Sequence, residues 1–440
     1  MNINTYSILS ICILIVACGS TSETVDSKFQ FATPEEVGMS SDSLSEIVLM
    51  VAEFIKEEKF PGAITLIAKN GRIIYESEIG WSDSARTKPY RKDHLFRLAS
   101  MTKPITCVAA LQLVEDGTIN LNDPISKYIP SFKETGVLNT FSAEDTTWTV
   151  KPPENPVTVH HLLTHTSGIP YSWTSPSYSF GPPNYFGIFS KLGGIPQITP
   201  SDSLRYLAES MDKLAKAPLA FEPGTKWEYG LNMDVLGRVI EVASGMALDD
   251  YIRGNISNPL GIEKLDYYFP DSLADNLVTL FWADANGKMA EAVLNPVFNL
   301  NYPVQETQKY HAGGSGMTGT ARDYYLFCQA MLNDGKLGDV EILEPETAMS
   351  MHQDRLDTIT YPWGPNTNRF GYGVDITQNH PIKPDGVYHW DGTFGTTFFI
   401  DPSNDLIVIQ LRQTGGNTPA VLEMNERLER IVYSAILKDS

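Results

Sequence analysis

Cysteine is scarce in this chain. There are 4 in 440 residues, and Cys12 and Cys18 fall at the extreme amino terminus. The others, Cys107 and Cys328, lie far apart in apolar stretches with helical patterning. Two isolated cysteines make no disulfide framework, and their spacing fits no zinc site, so buried free thiols are expected. Positive charge is also short. Lysine and arginine total 33 against 53 acidic residues, a formal net charge of −20. Such a surface repels phosphate backbones, which argues against nucleic-acid binding. Internal repeats and low-complexity tracts are absent. The apolar run Tyr6 to Ala17 is too short to span a bilayer. No stretch completes Gly-x-Ser-x-Gly; the glycine-rich run His311 to Met317 lacks the final glycine, against an α/β-hydrolase elbow. His161 and His165 share a helix face, but no Glu makes them His-Glu-x-x-His and no third ligand is evident, so a structural role is favoured over metal.

The composition that remains is ordinary for a globular protein: 42% hydrophobic and 20% charged, with length for one large domain or two lobes. Residues 1–18 read as a signal segment, its core ending in Ile15-Val16-Ala17-Cys18-Gly19. Small residues before a cysteine look like a bacterial lipobox, with Cys18 lipidated, although Met1 to Ser10 contains no Lys or Arg. The expected placement is therefore the cell envelope, with membrane contact only through that lipid; a plain secretory signal is the alternative. A tether over 19–33 would join lipid to a domain over 34–437.

The chain is organised around Leu98-Ala99-Ser100-Met101-Thr102-Lys103. An apolar helical run follows, which places Ser100 at its first turn and Lys103 on the same face. A serine hydroxyl needs a base within hydrogen-bond reach and positive potential to attack a carbonyl, and this pattern offers both. A second Ser-x-x-Lys, Ser210 to Lys213, falls late in another helix and off its apolar stripe, so Ser210 is expected on a solvated face. Ser40-Ser41 caps a helix with apolar positions Leu44, Ile47, Val48, Val51 and Ile55. Ala63 to Lys69 and Arg72 to Ile79, joined by Asn70-Gly71, read as a hairpin. Asp123-Pro124 reads as the start of a further helix. Tyr171 to Thr199, with Trp173, Tyr178, Phe180, Tyr185 and Phe186, is either a self-packed excursion or a wall over a cleft. Tyr229 stands at a loop-to-helix junction. Strands at 387–390, 393–400 and 406–412 precede a last helix from about Ala420 to Leu437. The terminal segments, 34–95 and about 310–437, are expected to pair in one antiparallel sheet flanked by helices. The middle, about 96–309, would form a mostly helical lobe with the cleft between: an α+β arrangement.

With Ser100, Lys103, Tyr229 and Trp390-Asp391-Gly392 in that order, the chain resembles the serine β-lactamase and penicillin-binding-protein superfamily, and its class C-like branch above all. Leu162 to Gly168, Pro223 to Tyr229 and Pro259-Leu260-Gly261 add to the likeness. The resemblance implies a β-lactamase-like fold and an acyl-enzyme on Ser100. Lys103 and Tyr229 would share the serine proton, Tyr229 as phenolate under the charge of Lys103. Backbone N–H groups of Ser100 and Thr393 would form the oxyanion site. No metal or organic cofactor is implied. Two departures stand out. Tyr-x-Asn is replaced by Tyr229-Gly230-Leu231, with Asn232 one place late. Trp390 stands where β-lactamases and transpeptidases have the lysine that recognises a substrate carboxylate. That favours esters or small amides over penicillins. The alternatives are a D-amino-acid peptidase or β-lactamase-type activity and, in another class, a sensor that acylates without turnover.

Overall fold

The computed structural model describes residues 28–172, 185–195, 206–284, 288–292, 302–303, 310–363, 368–416 and 418–437. The signal segment, most of the tether, and Trp173, Tyr178 and Phe180 lie outside the described residues. Helix α1, Ser41–Lys56, starts at Ser40, whose side chain accepts the Ser43 N–H at 3.2 Å. Such a cap contributes about 1 kcal/mol. Its buried face is Leu44, Ile47, Met50, Val51 and Phe54, while Val48 is exposed. The larger Met50 and Phe54 rotate the stripe from the expected one.

Strands β1, Gly62–Lys69, and β2, Arg72–Gly80, form the hairpin. Asn70 and Gly71 have φ of 52° and 70°, the positive values a two-residue hairpin turn demands. Helix α2, Thr102–Glu115, stops before Gly117. Pro124 starts no α-helix; a single 3-10 turn, Ile125–Lys127, follows. Helices α3, Leu207–Leu214, α4, Asn232–Ser244, and α5, Ala321–Leu332, come next. The chain closes with β3 (Arg369–Phe370), β4 (Asp375–Ile376), β5 (Tyr388–Asp391), β6 (Thr397–Asp401), β7 (Leu406–Leu411) and α6 (Thr418–Ser434). The strand expected from Thr393 begins only at Thr397. Gly392 to Thr396 is a tight turn instead, in which the Gly392 N–H donates to the Thr396 carbonyl at 2.7 Å.

One seven-stranded antiparallel sheet runs β3-β4-β5-β6-β7-β1-β2. It joins both ends of the chain, with Ile64 opposite Leu411 and Lys69 opposite Leu406. Alternation splits each strand between two cores. Ala63, Ile67, Phe399 and Val408 pack with α1 and α6. Ile64, Leu66, Phe398, Ile407 and Ile409 pack with α2, α4 and α5. Burial of both faces is why β1 reads as a continuous apolar run. Cys107 and Cys328 are free and buried. The fold is α+β.

Candidate active site

Ser100 arrives through a constrained entry to α2. Phe96–Arg97 pairs with Thr318–Gly319, and the Leu98 N–H donates to the Met317 carbonyl at 3.0 Å. Ala99 then takes a left-handed φ of 48°. For an L-residue that conformation costs about 1–2 kcal/mol, so the packing around fully buried Ala99 must hold it. A 3-10 turn, Ala99–Met101, leads into α2, so Ser100 lies just ahead of the helix rather than inside it. The Thr102 hydroxyl donates to the Ala99 carbonyl at 2.7 Å and accepts the Met317 N–H at 3.0 Å.

Lys103 is completely buried. Its Nζ donates to Ser100 Oγ at 3.0 Å and to the Gly314 carbonyl at 2.6 Å, and lies 4.5 Å from the Tyr229 ring centre. The Tyr229 hydroxyl donates to Ser100 Oγ at 2.6 Å. Rings hold Tyr229 in place: Trp363 at 4.8 Å, His165 at 5.0 Å and Tyr171 at 5.3 Å between centroids. Burial then sets the charges. Desolvation pulls the Lys103 ammonium down to about 7, against the charge of Asp234. Desolvation pushes the Tyr229 phenol up, with Ser100 and Trp390 opposing only in part. The phenolate expected from the sequence is therefore disfavoured, and Lys103 is the group poised near neutrality.

Strand β5 brings up the other wall. Trp390 is 5% exposed, its ring 5.6 Å from Tyr229 and 5.5 Å from Phe370. His389, next to it on the strand, also lines the cleft and sits 3.4 Å from the Asp375 carboxylate. At Gly392 the strand end meets the Ser100 turn: a Cβ there would lie 2.1 Å from Thr396 Oγ1 and 2.3 Å from the Leu98 carbonyl oxygen. Ser100, Tyr229 and the run Trp390, Asp391, Gly392 and Thr393 all line one cleft of about 470 Å³. Tyr361, Trp363, Val421 and Leu422 complete an apolar wall.

Several residues stand elsewhere than the sequence suggested. Ser210 is buried, not solvated. Leu207, Ser210, Met211 and Leu214 form the inner face of α3, and the Ser210 hydroxyl donates to the Tyr206 carbonyl at 3.3 Å. Asn232 does not face Lys103. Its amide reaches His165 Nδ1 at 2.9 Å and it accepts from the Ser167 hydroxyl, tying Leu162 to Gly168 onto α4. His161 Nδ1 accepts the Thr158 N–H at 3.2 Å. Both histidines are thus engaged within the fold, and burial drives both toward the neutral form. Tyr185 is buried with its hydroxyl on the Pro218 carbonyl, and Phe186 is exposed. Three contributors were not singled out from sequence: Trp363, Asp234 and Gly314. The only signal for the last was the glycine run itself, in which Gly313 and Gly314 let the chain approach α2 and α4 closely.

Residues 48–432 match the Beta-lactamase family. Esterase EstB of Burkholderia gladioli is 29% identical over 410 residues, 87% of this chain and 94% of that one. Lovastatin esterase of Penicillium rubens is 30% identical over 377 residues, 79% of this chain and 87% of that one. Among solved structures, EstCE1, a hydrolase with promiscuous acyltransferase activity, is 28% identical with a TM-score of 0.71, covering 90% of this chain and 99% of that chain. The family match spans most of the sequence and these relatives are aligned over most of their length: the chain belongs to the beta-lactamase family, in the company of esterases and acyltransferases.

Proposed function

We propose that the protein is a serine hydrolase that forms an acyl-enzyme on Ser100 and cleaves esters or small amides lacking a recognition carboxylate. One observation supports this above all: Ser100 Oγ lies 3.0 Å from Lys103 Nζ and 2.6 Å from the Tyr229 hydroxyl at the edge of an apolar cleft. Lys103, as the free amine, takes the Ser100 proton while Oγ adds to the substrate carbonyl carbon. The backbone N–H groups of Ser100 and Thr393 hold the oxyanion. The proton moves from Lys103 through Tyr229 to the leaving oxygen or nitrogen, and the alcohol or amine departs. Water, deprotonated by the same amine, then adds to the acyl carbon; the acid leaves and Ser100 recovers its proton.

The cleft offers little to a substrate carboxylate. Trp390 supplies apolar contact in place of an ammonium, and Lys383, which also lines the cleft, is paired with Glu429 at 2.8 Å. Penicillins and peptides ending in D-amino acids are disfavoured on this ground. The test is a panel of p-nitrophenyl acetate, p-nitrophenyl butyrate, a chromogenic cephalosporin and D-Ala-p-nitroanilide. Fast ester turnover that vanishes in Ser100→Ala supports the reading. Preference for the cephalosporin or the anilide would replace it with a lactamase or peptidase, and a stoichiometric burst alone with a sensor. The cellular placement we propose is the envelope, lipid-anchored through Cys18. Cys18→Ser should then move the protein from the membrane pellet to the soluble fraction, and retention in the pellet would overturn the anchor.

A further inference from the structure

Lys103 has a neighbour that the reaction above leaves unused. Asp234, in the first turn of α4, is fully buried. Its Oδ1 accepts from the Tyr310 hydroxyl at 3.4 Å. Its Oδ2 has no hydrogen-bond partner among the described residues. That oxygen faces Gly314. A Cβ at Gly314 would sit 2.8 Å from Oδ2, 3.1 Å from the Tyr171 hydroxyl and 3.4 Å from Lys103 Nζ. Only because Gly314 carries no side chain can the carboxylate and the lysine both come this close to its backbone. A buried carboxylate with an open oxygen is unfavourable unless an opposite charge compensates it, and Lys103 is the cation within range.

We propose that Asp234 is a positioning residue: beside Gly314 its carboxylate sets the proton occupancy of Lys103, and so the conditions under which Ser100 is activated. This rests on the reading of Ser100 as nucleophile. Besides Asp234, the groups facing Lys103 are Tyr229, Tyr171, Cys107 and His165, and those around Asp234 include Tyr310, Tyr171, Tyr229 and Tyr267. Burial raises the phenols and the thiol and lowers the imidazole, which keeps all of them neutral. Charge therefore resides on Lys103 and Asp234. Burial brings each of them to about 7, and they titrate as a pair. The sign of the coupling follows. The negative charge holds the proton on Lys103, so removing it releases the free amine at lower pH.

The experiment follows two rates against pH: labelling of Ser100 by a fluorophosphonate, and kcat/KM for p-nitrophenyl butyrate. Both are measured for the wild type, Asp234→Asn and Tyr310→Phe. The acid limb should move down by about one pH unit in Asp234→Asn, the size of a lost opposite charge nearby. It should move the same way by less in Tyr310→Phe, since losing that hydrogen bond raises the proton affinity of Asp234. An unmoved limb in the folded variants overturns the proposal, because a merely structural role would alter rate or stability and not the profile. If Asp234→Asn fails to fold, Tyr310→Phe decides alone. Failure of the underlying reading looks different: Ser100→Ala would still label and turn over.

Discussion

In the proposed reaction, Lys103 is the residue on which the chemistry turns. It is buried without a direct ion pair among the described residues, and an ammonium there loses hydration that Asp234 only partly replaces. As ammonium it cannot accept the serine proton. Activity should therefore be low in acid and rise as pH passes about 7, where Lys103 becomes the free amine. Lys103→Met should lower kcat by about 10²- to 10⁴-fold, the range of a lost general base, with KM little changed. Lys103→Arg should not rescue it, because a guanidinium stays charged. Steady-state kinetics across pH measure all three. Ser100, Lys103 and Tyr229 were legible in the sequence because each sits in a local pattern that marks a helix entry. Asp234 was not. An acid among Asn232, Met233 and Val235 reads as an ordinary helix-start residue, and its burial depends on glycines from a distant part of the chain.

Among the elements, the end of β5 and the turn before α2 are fitted to each other. Thr396 Oγ1 donates to the Leu98 carbonyl at 3.0 Å, just beside Gly392. Gly392→Ala would drive a methyl group into both. The Thr393 N–H would shift with the strand end, and kcat should drop by about 10²-fold, the scale of one lost oxyanion donor. Circular dichroism and a melting curve would separate this from unfolding; an unchanged kcat would remove Thr393 from the site. Trp390 bears on the choice of test as well. It is wedged among Tyr229, Trp363 and Phe370. A Trp390→Lys exchange would strip that packing and bury an ammonium, so the substrate panel is the cleaner measure of selectivity. The hairpin and α1 could be read ahead because turn residues and caps are local. The two-residue strands β3 and β4 could not, since so short a segment has no periodicity to detect. Ser210 was misplaced because the inner face of α3 is counted from Leu207, which puts Ser210 one turn along it.

At the scale of the whole molecule, both terminal parts of the chain enter one sheet, and the cleft opens where the end of β5 meets the head of α2. The pairing of termini was foreseeable from apolar strands at both ends, and the continuous apolar run of β1 already pointed to burial on two faces. The acidic surface acts on the cleft from a distance. With a net charge of −20 and Asp375 and Asp391 in the lining, the approach of anions is opposed. Raising salt from about 10 mM to about 150 mM shortens the screening length from about 30 Å to about 8 Å. It should raise kcat/KM for an anionic ester such as p-nitrophenyl succinate severalfold while leaving p-nitrophenyl butyrate nearly unchanged. Equal responses would show that the field does not reach the cleft. All of this depends on Ser100 being the atom that is acylated, and peptide mass spectrometry after fluorophosphonate treatment addresses that directly. The account predicts a single adduct on the peptide bearing Ser100, absent from Ser100→Ala along with ester turnover. An adduct on another residue, or turnover surviving in Ser100→Ala, would contradict it.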